Sequence, residues 1–168
     1  MGFLVLATVL VLARLIAYRF SHILWPKPVT SGIEKVSVVA MRSFDCPYDY
    51  LLNIYGSQHF RKIVSFLNPG LQDQDAKLYG LVLEILDAVH FGAILVDDIA
   101  DNSMLRKSEV AAHRIYGSSE TINRAYLKIF DVITKCQKER PELMPFILES
   151  ITEIHQGISV TMLNWRKS

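Results

Sequence analysis

Residues 94–117 read ILVDDIADNSMLRKSEVAAHRIYG: three aspartates fall within five residues, behind an apolar run and ahead of an Arg-Lys pair. If Lys77 to Asp101 form one helix at about 100° per residue, the positions of Asp97 and Asp101 fall within roughly 20° of that of His90. The three side chains then share one stripe. Asp98 points about 80° away and is left as a supporting or solvent-facing acid. Two carboxylates one turn apart suit a hard divalent cation such as Mg²⁺, which keeps some of its waters and commonly takes the rest of its shell from phosphate. Arg106 and Lys107, beyond the helix end, would meet the same phosphates, one as a planar fork and the other as a point charge. A plainer reading stays open. Acid at a helix C-terminus opposes the helix dipole, so the cluster could be a solvated, fraying end beside two bases, and His90 a hydrogen-bonded core histidine.

Outward from this block, the rest of the chain is read the same way. No strict apolar/polar alternation of strand length occurs from Gly32 onward, and glycine and proline fall at segment ends, which predicts an all-α fold. The expected helices run from Pro47 to the Asn68-Pro69-Gly70 turn, from about Gln74 to Asp101, and from about Glu109 to Tyr116. Another begins at Ser118 or Ser119 with Glu120 in its first turn, and the last begins at Pro141. With 51% hydrophobic and 21% charged residues in 168, the chain is long enough for one packed domain and too apolar for disorder. Lys plus Arg number 18 against 17 acids, and no basic stripe is interleaved with aromatics, so nucleic acid is not an expected partner. Cys46 and Cys136 lack any C-x-x-C or Cys/His spacing, which points to two reduced thiols rather than a disulfide or zinc site.

Residues 1–26 form a separate unit. MGFLVLATVLVLARLIAYRF carries no acid, and its apolar run is interrupted at Arg14 and ends at Arg19. The run is short for a spanning helix. Arg14, Arg19 and Lys27 flank its C-terminal side, so as a membrane anchor it would leave the body of the protein in the cytosol. A mitochondrial presequence and a buried N-terminus are the alternatives. Residues 27–45 read as a linker that opens with the stiff Pro26-Lys27-Pro28 run beside Trp25.

The blocks DDIADNSMLRK, AAHRIYG and TINRAY together resemble the isoprenyl diphosphate synthases, and within them the geranylgeranyl diphosphate synthase branch, whose motifs read DDxxDNSxLRRG, AHxxYG and TINxAN. The resemblance runs from about Pro47 to Trp165. It implies a bundle of long helices around a central cavity, with aspartate motifs on facing helices and Mg²⁺ bridging them to an allylic diphosphate. It further implies that Asp97 and Asp101 hold metal and that Arg106 and Lys107 meet diphosphate. His90 and Arg61 would bind isopentenyl diphosphate. The implied reaction is ionisation of the allylic diphosphate and condensation with isopentenyl diphosphate.

Several positions depart from the pattern. Gln58 stands where the family has a phosphate-binding lysine, with Ser57 in place of the preceding glycine; Lys107 replaces the second arginine and Ser108 the glycine after it. A neutral amide at 58 weakens the homoallylic diphosphate contact. In HQGISVTMLNWRKS the family's His155, Gly157, Trp165 and Arg166 remain, but its Gln-Gly and Asp do not, and no second aspartate motif follows. Residues 46–168 are therefore expected to form about the N-terminal half of such a bundle, as a homodimer or as a heterodimer with a synthase subunit. Gly92 and Ala93, shortly before Asp97, would leave room for a product of C20 or longer, with Phe91 a core aromatic. A non-catalytic partner subunit is the alternative to an active enzyme, and a class I terpene cyclase fragment is a third reading, which the bases after the aspartates disfavour.

Overall fold

The structure, a computed structural model, describes residues 46–165, with side chains described up to Gly157. The expected anchor over 1–26, the linker over 27–45 up to Asp45, and Arg166 lie outside the described residues. The described chain is helical: α1 Pro47–Tyr55, α2 Arg61–Leu67, α3 Leu71–Gln74, α4 Ala76–Ala100, α5 Ala112–Tyr116, α6 Ser118–Glu139 and α7 Met144–Trp165, with a 3-10 turn Pro141–Leu143 before α7. A hairpin of two short strands, β1 Leu105–Arg106 and β2 Glu109–Val110, lies between α4 and α5.

The chain divides into two compact units. Among the described residues the first holds Phe60–Leu83 and the chain from Ile133 onward; the second holds the chain up to His59 and Glu84–Val132. Helices α4 and α6 each run from one unit into the other.

In the first unit, Asp75 stops the preceding turn and starts α4. Its carboxylate accepts a bond from the Leu78 amide at 2.9 Å and is paired with the Arg140 guanidinium, so one acid caps a helix and ties down the end of α6. Val64, Leu71, Tyr79, Leu81, Val82, Cys136, Leu143, Ile147 and Ile154 are buried. Cys136 is a buried free thiol and Cys46 a partly exposed one.

In the second unit, Tyr48, Leu51, Phe91, Ile94, Leu95, Ile115, Ala125 and Val132 form the core, and Tyr50 donates its hydroxyl to the Val110 carbonyl at 2.7 Å. That bond ties α1 to β2. Helices α4 and α6 approach closely at Gly92, where an added Cβ would lie 2.7 Å from Ile129 Cδ1 and 3.4 Å from the Ala125 carbonyl. The room expected beside Gly92 is thus filled by Ile129. The glycine serves helix contact, and the product-length argument drawn from it falls. Phe91 is fully buried, as a core aromatic should be.

Two further expectations are corrected. The single helix expected from Pro47 to Asn68 is broken at residues 56–60, where Gly56 has φ 82° and Gln58 φ 54°, values that helical backbone excludes. The helix expected from Glu109 begins only at Ala112, because Glu109 pairs with Arg106 across the hairpin. Lys107 and Ser108 form its two-residue turn with φ 50° and 68°, the positive pair that a type I′ hairpin requires. Helix α4 is the one described helix long and apolar enough to cross a bilayer, and most of it is buried within the protein.

Candidate metal and diphosphate site

The aspartate block closes α4 in the second unit. The Asp101 amide donates to the Asp97 carbonyl at 3.0 Å, so the helical hydrogen bonding extends one residue past the end of α4 and keeps both acids on one stripe. Asp97 is half-buried, and its carboxyl is pushed up to about 6, first by burial and next by the charge of Asp101, against the pull of Arg106. Asp101 accepts a bond from the Ser103 amide at 2.8 Å, which turns the chain away from the helix.

Asp98 behaves differently from its neighbours. It is neither solvent-facing nor fraying: its side chain is 2% exposed, and one oxygen accepts from Arg106 Nε at 2.9 Å and also from Nη2. The other oxygen is buried and has no hydrogen-bond partner among the described residues. Burial raises the Asp98 carboxyl, and the bond from Arg106 pulls it back down. The guanidinium reaches Asp97 only at 3.7 Å. One acid of the three therefore anchors the arginine, and the other two keep their mutual repulsion.

The hairpin separates the two bases. Arg106 turns inward to Asp98, and Lys107, in the turn, places Nζ 3.8 Å from the centroid of the Tyr55 ring. His90 is half-buried on the stripe, with its ring stacked on His59 at 5.6 Å and 6°. Tyr55 meets both imidazoles edge-on, at 5.8 Å for His59 and 6.4 Å for His90. Asp97, Asp101, His90, Arg106 and Lys107 thus all belong to the second unit. Arg61, exposed at the start of α2, belongs to the first.

Asp98 takes the supporting alternative of its two expected roles, and four residues without an expected role are placed beside it in structural terms. Asp98 holds Arg106, and Tyr55 collects the basic side chains. Asp87 accepts the amides of Gln58 at 2.7 Å and His59 at 3.1 Å, which fixes the loop that interrupts the first helix; burial raises its carboxyl and those two bonds oppose the rise. His59 follows from that loop. His113, buried in α5, has its basicity lowered by burial and by Arg114, while the charge of Asp101 acts in the opposite sense. Asp98 and His113, inside the DDIAD and AAHRIYG blocks, and Asp87, on α4 one turn before His90, carried a usable signal in the sequence.

A resident metal would find two carboxylates here. Among the described residues no three His, Cys, Asp or Glu side chains gather as a complete metal cage. That donor set fits Mg²⁺, which accepts one or two carboxylates and completes its octahedron with water and phosphate. The half-buried Asp97 beside Asp101 supplies the local negative charge such an ion would neutralise.

Residues 42–168 match the polyprenyl synthetase family. The chain is 50% identical over 122 residues to Prenyltransferase terC of Tolypocladium album, which covers 73% of this chain and 36% of that protein. It is 47% identical over 122 residues to the Multi-functional prenyltransferase ltmE of Epichloe festucae var. lolii, covering 73% and 15% of the two chains. Over 149 residues it is 38% identical to Prenyl transferase penC of Penicillium crustosum, covering 89% and 43%. The chain spans less than half the length of these relatives. No solved structure matches it.

Proposed function

Since the chain belongs to the polyprenyl synthetase family, we propose that its second unit is the first aspartate-motif side of a prenyltransferase site, taking an allylic diphosphate with Mg²⁺ and condensing it with isopentenyl diphosphate. The observation that carries this reading is the division of labour among the three acids. Asp98 holds Arg106 closely, while Asp97, which Arg106 reaches only at 3.7 Å, and Asp101 stay on one face and repel each other.

Asp97 and Asp101 would hold the ion; when bound, it would stabilise negative charge developing on the departing diphosphate. Arg106 presents a guanidinium already oriented by Asp98, so little conformational freedom is lost when it meets a phosphate oxygen. Lys107 contributes a compact charge from the rigid hairpin turn. His90, in the same unit, would take the diphosphate of the isopentenyl substrate. A product of geranylgeranyl length is the finer part of the reading, supported by the likeness of residues 97–108 and 112–117 to that branch.

One observation favours a second role beside this one. Ile122, Tyr126 and Phe130, spaced by four on α6, are exposed at 37%, 40% and 61%, an apolar stripe suited to association with another synthase chain as a homodimer or heterodimer.

The test is a calorimetric titration of the full chain with dimethylallyl diphosphate, with and without Mg²⁺. Binding should require Mg²⁺ and vanish in the Asp97→Ala/Asp101→Ala variant. Unchanged binding in that variant, with the fold intact by circular dichroism, removes the assignment.

A further inference from the structure

We propose that His59 is a further diphosphate-binding residue of this chain, acting with His90 as a stacked imidazole pair that receives the diphosphate of isopentenyl diphosphate. The inference rests on the prenyltransferase reading and adds to it a residue and the means by which that residue is placed.

The argument starts from the backbone. His59 lies in the break between α1 and α2, a segment that would wander if left to itself. Asp87, 7% exposed, prevents this by accepting two successive amides, those of Gln58 and His59. A buried carboxylate that accepts two backbone bonds is a strong local anchor. The His59 Cα is therefore fixed relative to α4, the helix that carries His90 seven residues before Asp97.

The side chains then converge on one phenol. His59 lies parallel to His90, with ring centroids 5.6 Å apart, and Tyr55 closes the pair edge-on. Stacking occupies ring faces, and an imidazole hydrogen-bonds through its edge, where both nitrogens are. The same Tyr55 ring carries the Lys107 ammonium, and the charge of Arg106 acts on its hydroxyl. Four basic side chains, His59, His90, Arg106 and Lys107, are thus assembled around Tyr55. Of the nearby acids, Asp98 is engaged by Arg106, Asp97 lies 3.7 Å from the same guanidinium, and Asp87 is turned to the loop amides. A cluster with this balance suits a small, highly charged oxyanion. His59 and Lys107 are its exposed members, and Gln58, the exposed residue adjacent to His59, is neutral.

The alternative is that the stack is packing alone. Two substitutions separate the cases: His59→Phe keeps a flat ring against Tyr55 and His90 but has no N–H, whereas His59→Gln keeps a donor and loses the ring. The full chain is titrated with isopentenyl diphosphate in the absence of Mg²⁺, by calorimetry. His59→Phe should weaken binding about tenfold, the loss of one charge-assisted hydrogen bond, and His59→Gln should weaken it less. Wild-type affinity in His59→Phe, a greater loss in His59→Gln than in His59→Phe, or no binding by the wild-type chain, overturns the proposal. The Asp97→Ala/Asp101→Ala variant distinguishes this outcome from failure of the prenyltransferase reading. It should retain Mg²⁺-free binding of isopentenyl diphosphate and lose Mg²⁺-dependent binding of the allylic diphosphate. Persistence of the latter sinks the acid-pair assignment and leaves the histidine result standing on its own.

Discussion

Replacing Asp97 with asparagine should make the metal-free protein more stable at neutral pH while destroying its metal site. The carboxyl of Asp97 is raised from 3.8 to about 6, by burial first and by Asp101 second, with Arg106 acting in the opposite sense. That gap is about 2 pH units, and each unit corresponds to about 1.4 kcal/mol, so the ionised form disfavours the fold by on the order of 3 kcal/mol. The side chain is 21% exposed, and solvent screening reduces this to about 1–2 kcal/mol. The folded chain binds this proton more tightly than the unfolded one. The contribution is therefore fully favourable below about pH 4 and is lost as pH rises to about 6. Asparagine has nearly the same shape and no charge to desolvate, so Asp97→Asn should shift urea unfolding at pH 7 to higher concentration. The shift should correspond to about 1–2 kcal/mol and shrink to a small fraction of that near pH 4. A destabilised variant at pH 7, or a gain that does not change with pH, refutes the reasoning. The wider implication is that the acid pair is maintained against the stability of the fold, as expected where charge is kept for a ligand.

Three other substitutions probe the support around the site. Asp98→Ala should cost about 3 kcal/mol in urea unfolding, because it strands the Arg106 guanidinium, and adding Arg106→Met should recover part of that; a loss under about 1 kcal/mol contradicts the anchoring role. Ser108→Gly should raise stability by about 1 kcal/mol, since a serine now holds φ 68° in the hairpin turn, and a lower melting temperature counts against the turn assignment. Gly92→Leu should destabilise by about 1–3 kcal/mol through collision with Ile129, and Ile129→Ala should restore part of the loss; no restoration means that α4 and α6 do not meet there.

The acid stripe was legible in the sequence because helical period alone sets it: His90, Asp97 and Asp101 recur on one side whatever surrounds them. The fate of Asp98 was not. Its direction about 80° off the stripe is equally compatible with water and with burial, and only the return of Arg106 through the hairpin decides between them. The hairpin itself has two-residue strands, too short for any alternation to register. The break at residues 56–60 had a breaker in Gly56, but the apolar spacing on either side was helical, and the acid that stabilises the break lies on a different helix. The pairing of His59 with His90 depends on that same Asp87 contact, so no local pattern announces it. Gly92 shows the converse: a small residue was legible, and its purpose followed only from what packs against it.

The most direct measurement of the central claim is paramagnetic broadening by Mn²⁺, a stand-in for Mg²⁺, in amide NMR spectra of the full chain. With dimethylallyl diphosphate present, the amides around Asp97 and Asp101 should broaden first and at the lowest Mn²⁺ concentration, together with the phosphorus signals of the ligand. Without the diphosphate the effect should be much weaker, since two carboxylates supply only part of the ion's shell. Broadening centred elsewhere in the chain, or equally strong without diphosphate, would contradict the assignment of Asp97 and Asp101 as a metal and diphosphate site.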